Sequence, residues 1–553
     1  MKRIYLFFFL SFLILFSSSA QLTKDQSQQI DSLFSTWNME GHPGGAVGIM
    51  KNGETIYSKA FGLASLEYDV PNATTTIFNT GSVSKQFTAM GIVLLHERGL
   101  LSVDDDIRKH LPDMPDFGHT ITIRHMLHHT SGMRSLHAML GLAGWRDDDS
   151  RTNEDLYRFM LKQRELNFKP GDEYLYCNTG FMLMSNIIEN ITGEKFPAWM
   201  KANVFDSLGM PNTYVEDRYD RVVPNNATSY HPSDEGFFRA VEYWGYVGSG
   251  NMHSTTDDLL TWLQNFSTPK EGWASAFELL QTVDPFNDGT PNNYAFGVFV
   301  DEMHGYKRVQ HGGSIGGFRA YVSTYPEEQL SIAILTNYAT AGPGGKARSI
   351  SGILLEDKSV ATAPTAEPHT VKLSTDQLKA FEGWYWNEKE NYVRKIYLKD
   401  DTLRYWRSKQ SENAIVPISD NKFKMIGIES VLTAHFSIND QGKKSIVVNT
   451  GDDRPSRFNA FEPVTNPAEY IEAYAGRYYS PELETQYDLI LQDSVLMGHH
   501  ARHGDFSITL LKEDVLNMAN YATIKISRNE AQEITGIRIS NGRARNVWFE
   551  KLH

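Results

Sequence analysis

The chain has 553 residues, of which 41% are apolar, 12% aromatic and 22% charged, and its formal net charge is −14. That length is too great for one ordinary core and implies about two to four domains, while the apolar share excludes a disordered polymer. The acidic balance excludes nucleic acid as a partner, because such binding needs Lys and Arg to neutralise phosphates.

In chain order, residues 1–20 stand apart. Lys2 and Arg3 precede an apolar run from Ile4 to Phe16, and Ser18-Ser19-Ala20 follows with small side chains. This is the pattern of a secretory signal with cleavage after Ala20, and it implies a periplasmic or secreted protein. Its removal takes the formal charge from −14 to −16. No later run is long and apolar enough to span a bilayer, so no membrane insertion is expected once the signal is gone. The one cysteine is Cys177. No internal disulfide can form in that oxidising destination, and packed cores must supply the stability.

Residues 21–357 read as one α/β unit. Ala46 to Met50 and Thr55 to Lys59 are strand-like around Asn52-Gly53, a hairpin turn signal. Helical stretches follow at Ser84 to Arg98, Phe181 to Ile191 and Thr256 to Phe266, the last opening with Thr255 three residues before Asp258 as a capping box. Ala320 to Tyr325 and Leu330 to Leu335 form a second apolar pair. A sheet drawn from both ends of a segment, with helices between, implies one domain with a helical insertion. Residues 358–372 lack apolar periodicity, carry two prolines and read as a linker.

Residues 373–465 and 466–553 form an internal repeat. Gly476 lies 93 residues after Gly383, and the same offset relates Leu398 to Leu491 and Phe423 to Leu516. Both copies alternate apolar and polar residues around short polar turns, which predicts two small antiparallel β-barrels, with one larger barrel as the alternative.

Three motifs bear on chemistry. Ser82-Val83-Ser84-Lys85 stands where a polar loop gives way to the apolar run FTAMGIVLLHERGLL. Two other serines precede a lysine by three, at Ser267/Lys270 and Ser419/Lys422, but the first pair encloses Pro269 and the second lies in the strand-rich repeat. Residues three apart on a helix share a face, so a buried Lys85 with a depressed pKa could take the proton of the Ser82 hydroxyl. A helix start also offers backbone N–H groups to an oxyanion. A helix cap followed by a solvated lysine is the plain alternative. The second motif is Tyr176-Cys177-Asn178, in which a phenol and an amide would face one way; Tyr385-Trp386-Asn387 is a second copy. The third is His311-Gly312-Gly313-Ser314, whose glycines permit close backbone approach; a glycine-rich turn before an edge strand is the alternative.

In that order the three motifs resemble the serine β-lactamase and penicillin-binding-protein superfamily, in its class C-like branch. Segments 121–133, 178–194, 204–210 and 248–259 support the resemblance, which covers about 25–357. It implies an α/β fold, an antiparallel sheet flanked by helices with an all-helical subdomain, and a site between the two. It also implies Ser82 as acylated nucleophile, Lys85 as general base and Tyr176 as proton shuttle. Asn178 and His311 would contact substrate, and the Gly313-Ser314 strand would complete an oxyanion hole through the N–H groups of Ser82 and Ser314. Many members that bind β-lactams have lysine at the His311 position; a histidine there is similar to D-aminopeptidases and to some esterases of the superfamily. D-aminopeptidase also carries two barrels after its catalytic domain, and by that analogy the loop Gly498 to Asp505 is the candidate lid.

The expectation is therefore an exported serine hydrolase that uses no cofactor and acts on small-molecule or short-peptide amides and esters, D-amino-acid peptides or amides first. A carboxylesterase, a weak β-lactamase and an acylated sensor that does not turn over are the alternatives. His499, His500 and His503 read as a solvated loop rather than a metal site, and His125, His128 and His129 as structural.

Overall fold

The structure, a computed structural model, describes residues 21–359, 370–408, 411–426, 432–450, 455–464, 468–519 and 521–552. The expected signal segment and residues 360–369 of the expected linker lie outside that set.

Six strands form one antiparallel sheet in the order Phe299–Met303, Tyr306–Ile315, Phe318–Tyr325, Leu330–Thr336, Gly45–Lys51 and Glu54–Phe61. The two ends of the unit meet inside it, where Ala46 lies opposite Leu335 and Ile49 opposite Ile332. Successive side chains of a strand point to opposite faces. Ala46, Ala333 and Leu335 accordingly join one core, while Val47, Ile332 and Ile334 join another. Helix Thr256–Gln264 covers the first face, and helices Lys24–Ser32 and Pro343–Leu354 cover the second. Both faces being covered, the strand LSIAILT is buried along its whole length.

Helix Ser84–Glu97 packs against helix Asn178–Thr192 in the helical part, and every residue from Ser84 to Leu95 is buried. A helix apolar on all sides belongs in a core. Lys85 is therefore carried inside by its neighbours. Helix Thr256–Gln264 shows half of the expected capping box. Thr255 accepts from the Asp258 N–H, but the Asp258 carboxylate turns away to accept from Asn212 N at 2.8 Å and Thr213 Oγ1 at 2.7 Å.

The repeat folds as two closed eight-stranded barrels, the first running from Gly383–Asn387 to Ser456–Phe461 and the second from Gly476–Ser480 to Val547–Leu552. Pairing of the first strand with the last closes each barrel, and an equivalent bond recurs in both. Tyr385 Oη donates to Phe381 O at 2.7 Å, and Tyr478 Oη donates to Tyr474 O at 2.8 Å. Left-handed turn residues recur at the repeat offset, Asn391 with Glu484 and Asp400 with Asp493. Tyr385-Trp386-Asn387, the second copy of the tyrosine motif, is thereby a barrel strand.

The second barrel is joined to the N-terminal unit through its core. Met139 and Leu142 of helix Leu136–Leu142 pack into one cluster with Tyr487, Ile537 and Phe549. Beside them the fully buried Arg134 pairs with Glu482 at 2.6 Å, and its Nε donates to Arg545 O.

Candidate active site

Ser82 sits in a 3₁₀ turn, Gly81–Val83, one step ahead of the α-helix that begins at Ser84. Ser84 Oγ braces this turn, donating to Gly81 O at 2.6 Å and accepting from Met252 N at 3.0 Å. Gly81 has φ +53°, and a Cβ there would lie 2.6 Å from Ser314 N; a Cβ on Gly313 would lie 2.0 Å from Thr80 O and 3.2 Å from Ser82 N. Only glycine at both points allows the Ser82 turn to lie against the strand that carries Ser314. His311 to Ser314 are the last residues but one of an interior strand, paired to Val322 through Arg319. The motif is thus strand rather than turn, and because pairing with Phe299–Met303 stops at Gln310, its other side is a local edge that faces the Ser82 turn.

Lys85 Nζ lies 3.1 Å from Ser82 Oγ and donates to Ser249 O at 2.6 Å. Among the described residues no carboxylate offsets the burial of this amine. Desolvation, followed by the charge of Arg543, holds its pKa well below the ordinary lysine value. A neutral amine three residues from a serine, on one helix face, can accept the hydroxyl proton.

Tyr176 comes from the extended segment before helix Asn178–Thr192, and its ring centroid is 4.8 Å from Lys85 Nζ. Burial pushes the phenol up; proximity to Ser82 and to Arg543 opposes the rise. Its hydroxyl is buried and makes no well-formed hydrogen bond among the described residues, and the same holds for Asn178 Oδ1. Two orphaned polar atoms facing one cleft are unusual, because buried polar groups are nearly always paired. Cys177 points the other way, its thiol donating to Met133 O at 3.4 Å, and burial raises its pKa. His129 stands behind the phenol, with ring centroids 4.2 Å apart, and its Nδ1 accepts from Cys177 N at 3.0 Å.

His311 is buried, its Nε2 lying 3.0 Å from Tyr294 Oη and its Nδ1 2.5 Å from Gly312 O. Burial first, and Lys85 second, push its pKa down to about 3. It is neutral at any ordinary pH. A cleft of about 1010 Å³ joins Ser82, Tyr176, Asn178, His311, Gly313 and Ser314. The motifs that sequence spacing singled out, drawn from three distant stretches, share one pocket.

A family model described as Beta-lactamase matches residues 30–354, more than half of the chain. The chain belongs to the β-lactamase family. A D-aminopeptidase of Gluconobacter oxydans (strain 621H) is 28% identical over 59% of this chain and 62% of its own length, so this chain matches about three-fifths of that relative. A D-aminopeptidase of Cereibacter sphaeroides (strain ATCC 17023) is 25% identical over 464 residues, 82% of each protein, a match that runs past the catalytic domain into the barrels. Among solved structures, the octameric penicillin-binding protein homologue from Pyrococcus abyssi superposes with TM-score 0.54 at 25% identity, over 79% of this chain and 99% of that one. The D-amino acid amidase from Ochrobactrum anthropi SV3 shares the fold at TM-score 0.50 and 20% identity, over 60% of this chain and 99% of its own.

Within this β-lactamase-family cleft, one wall comes from outside the family domain. The expected lid, Gly498 to Asp505, is a hairpin tip that contributes no residue to the cleft lining; it packs on the segment that carries the lining residue Asp147, where Arg502 pairs with Asp149 at 2.7 Å and His503 Nε2 lies 2.8 Å from Gly141 O. His499 pairs with Asp505 at 2.6 Å, and no group of three His, Cys, Asp or Glu residues is placed to hold a metal among the described residues. The part of the second barrel that lines the cleft is Arg543, in the turn between strands Ile534–Ser540 and Val547–Leu552. That turn lies closer to the C-terminus than the expected lid, and its sequence, NGRARN, carries no sign of catalysis. Ser249 was also unmarked, because it contributes a main-chain carbonyl, which no side-chain pattern reveals.

Proposed function

We propose that this chain is an exported acyl-serine hydrolase that cleaves amide, peptide or ester bonds of small substrates built on D-amino acids. The observation that carries the reading is the buried Lys85 Nζ at 3.1 Å from Ser82 Oγ, with no carboxylate beside it among the described residues, behind a cleft that Ser82 and Tyr176 both line. Ser82 Oγ attacks the substrate carbonyl carbon as its proton passes to neutral Lys85. The resulting oxyanion accepts from the N–H groups of Ser82 and Ser314, which the two glycines bring to one seam. The Tyr176 hydroxyl relays the proton to the departing nitrogen or oxygen, leaving an acyl ester on Ser82. Water then attacks that ester and restores the serine. Asn178, with its unpaired oxygen, is placed to accept from a substrate N–H.

The D-amino-acid preference is supported by the names of the relatives, two of them D-aminopeptidases. Export is supported by the residues 1–20 pattern, and a small substrate rather than nucleic acid by the acidic charge. His311, held neutral, supplies no positive charge of its own to a substrate carboxylate.

The test is intact-mass analysis with a fluorophosphonate, together with hydrolysis of a panel of D-amino acid amides, esters and penicillins. One adduct on wild type and none on Ser82→Ala, with turnover lost by about 10³-fold or more in the variant, is the expected result. An unmodified Ser82 sinks the reading, and a stable adduct from substrate without turnover turns it into a sensor. In the pH profile of kcat/KM, activity falls as pH drops through the depressed pKa of Lys85, where the base becomes protonated. His311, held at about 3, stays neutral throughout that window.

A further inference from the structure

We propose that Arg543, supplied by the second barrel, binds a carboxylate on the leaving-group half of the substrate and so selects anionic leaving groups.

Arg543 is held by its backbone rather than by an acid. Its carbonyl accepts from Ser135 N at 3.1 Å and from Asn167 Nδ2 at 3.1 Å, and its own N–H donates to Asn541 O at 2.9 Å. The arginines on either side are neutralised: Arg538 pairs with Glu165 at 2.8 Å and Arg545 with Glu173 at 3.1 Å. Among the described residues Arg543 pairs with no carboxylate; its guanidinium lies over the Tyr176 ring, 4.8 Å from the centroid. An arginine kept free of acids, with its main chain pinned on both sides, is a cation presented to the cleft.

The other charges around the pocket do not fill that role. Arg319 turns its Nη1 to Gly316 O and Phe318 O, at 2.8 and 2.7 Å, and its charge is opposed by Glu242. Asp147 is at the exposed rim and faces Arg151 at 3.7 Å. His311 is neutral, and the Lys85 pKa is held well below the ordinary lysine value. Arg543 therefore sets the sign of the potential beside Tyr176, and its charge helps depress Lys85.

Position gives the side of the substrate, and here the inference rests on the hydrolase reading above. Tyr176 is the relay to the leaving group, so a cation stacked on its ring meets the leaving half. Arg543 also lines a second cavity, of about 870 Å³, between the catalytic domain and both barrels, which shares Tyr174, Leu175 and Phe299 with the cleft. A bidentate guanidinium–carboxylate contact at that junction would hold a departing amino acid by its free acid.

The test compares N-acetyl-D-alanyl-glycine with its glycinamide, which differ only in leaving-group charge. In wild type the acid is the better substrate. In Arg543→Gln the ratio of kcat/KM, acid over amide, falls about tenfold or more, as expected for loss of a charge-assisted contact. Arg543→Lys recovers part of it, and Arg543→Glu lowers it further. A second readout is the pH profile: without the Arg543 charge Lys85 protonates more readily, so the acid limb moves to higher pH in Arg543→Gln and returns in Arg543→Lys. A purely structural arginine would lower both substrates equally and leave the limb in place.

Calorimetric binding of the two peptides to Ser82→Ala and to Ser82→Ala/Arg543→Gln separates this inference from the hydrolase reading. Tighter binding of the acid, lost with Arg543, supports the subsite even if wild type cleaves neither peptide. Equal binding of acid and amide, or a ratio unchanged within about twofold by Arg543→Gln, overturns it while leaving the Ser82 chemistry intact.

Discussion

The two C-terminal barrels share strand order, the tyrosine-to-carbonyl bond and their left-handed turns, yet they engage the catalytic domain differently. At one repeat position the second barrel has Glu482, buried against Arg134, and the first has Lys389, which meets Glu173 at 3.1 Å while 58% exposed. At another, Arg543 of the second barrel lines the cleft, and the residue 93 positions earlier, in the first, is Thr450. Duplication has copied the framework, which hydrophobic alternation and turn residues specify. What each copy does for the reaction depends on a few substitutions at strand ends. One barrel completes the cleft, and the other adjoins its outer cavity.

The strongest challenge to this contrast is Glu482→Ala. It strands a buried guanidinium and should cost about 3–5 kcal/mol in denaturant unfolding. Replacing both partners, Arg134→Met with Glu482→Leu, should return most of that loss, because burial raises the Glu482 pKa despite Arg134, so the pair specifies docking more than it adds net stability. A double variant as weak as the single one would show that the pair itself holds the barrel in place. Next, Leu142→Ala opens a cavity in the shared cluster and should lose about 2–5 kcal/mol. If it instead behaves like a surface change, the second barrel is not packed through that helix. Tyr385→Phe and Tyr478→Phe remove equivalent bonds, so each should cost about 1 kcal/mol. A clear inequality between them would mean the two barrels are not energetic copies. The smallest effect belongs to Lys389→Ala, about 0–1 kcal/mol, since its ammonium is solvated. Thermal melts of Lys389→Ala and Glu482→Ala side by side read the contrast directly.

Much of this arrangement was legible because it depends on local pattern. The apolar segments at Ala46 to Met50 and Leu330 to Leu335 announced a sheet built from both ends. The offset from Gly383 to Gly476 announced a repeat. Ser82 and Lys85 were identifiable because a helix fixes what three residues of separation mean in space. Other parts were hidden for physical reasons. The in-strand position of Gly312 and Gly313 was unreadable because glycine pairs often mark turns; here Gly313 removes a side chain where the Thr80 carbonyl approaches. The lid was misplaced because Gly498 to Asp505 carries the polar, histidine-rich look of a functional loop, whereas Arg543 reaches the cleft only through how the barrel docks on helix Leu136–Leu142. Docking between domains rests on single side chains such as Glu482 that leave no periodic trace.

The turn at residues 541–546 joins the last two strands of the chain. Synthesis proceeds from the N-terminus and domains fold as units, so the serine–lysine pair can be assembled hundreds of residues before Arg543 exists. The second barrel closes only when Val547–Leu552 pairs with Gly476–Ser480, so the wall that Arg543 adds to the cleft is the last part of the pocket to be laid down.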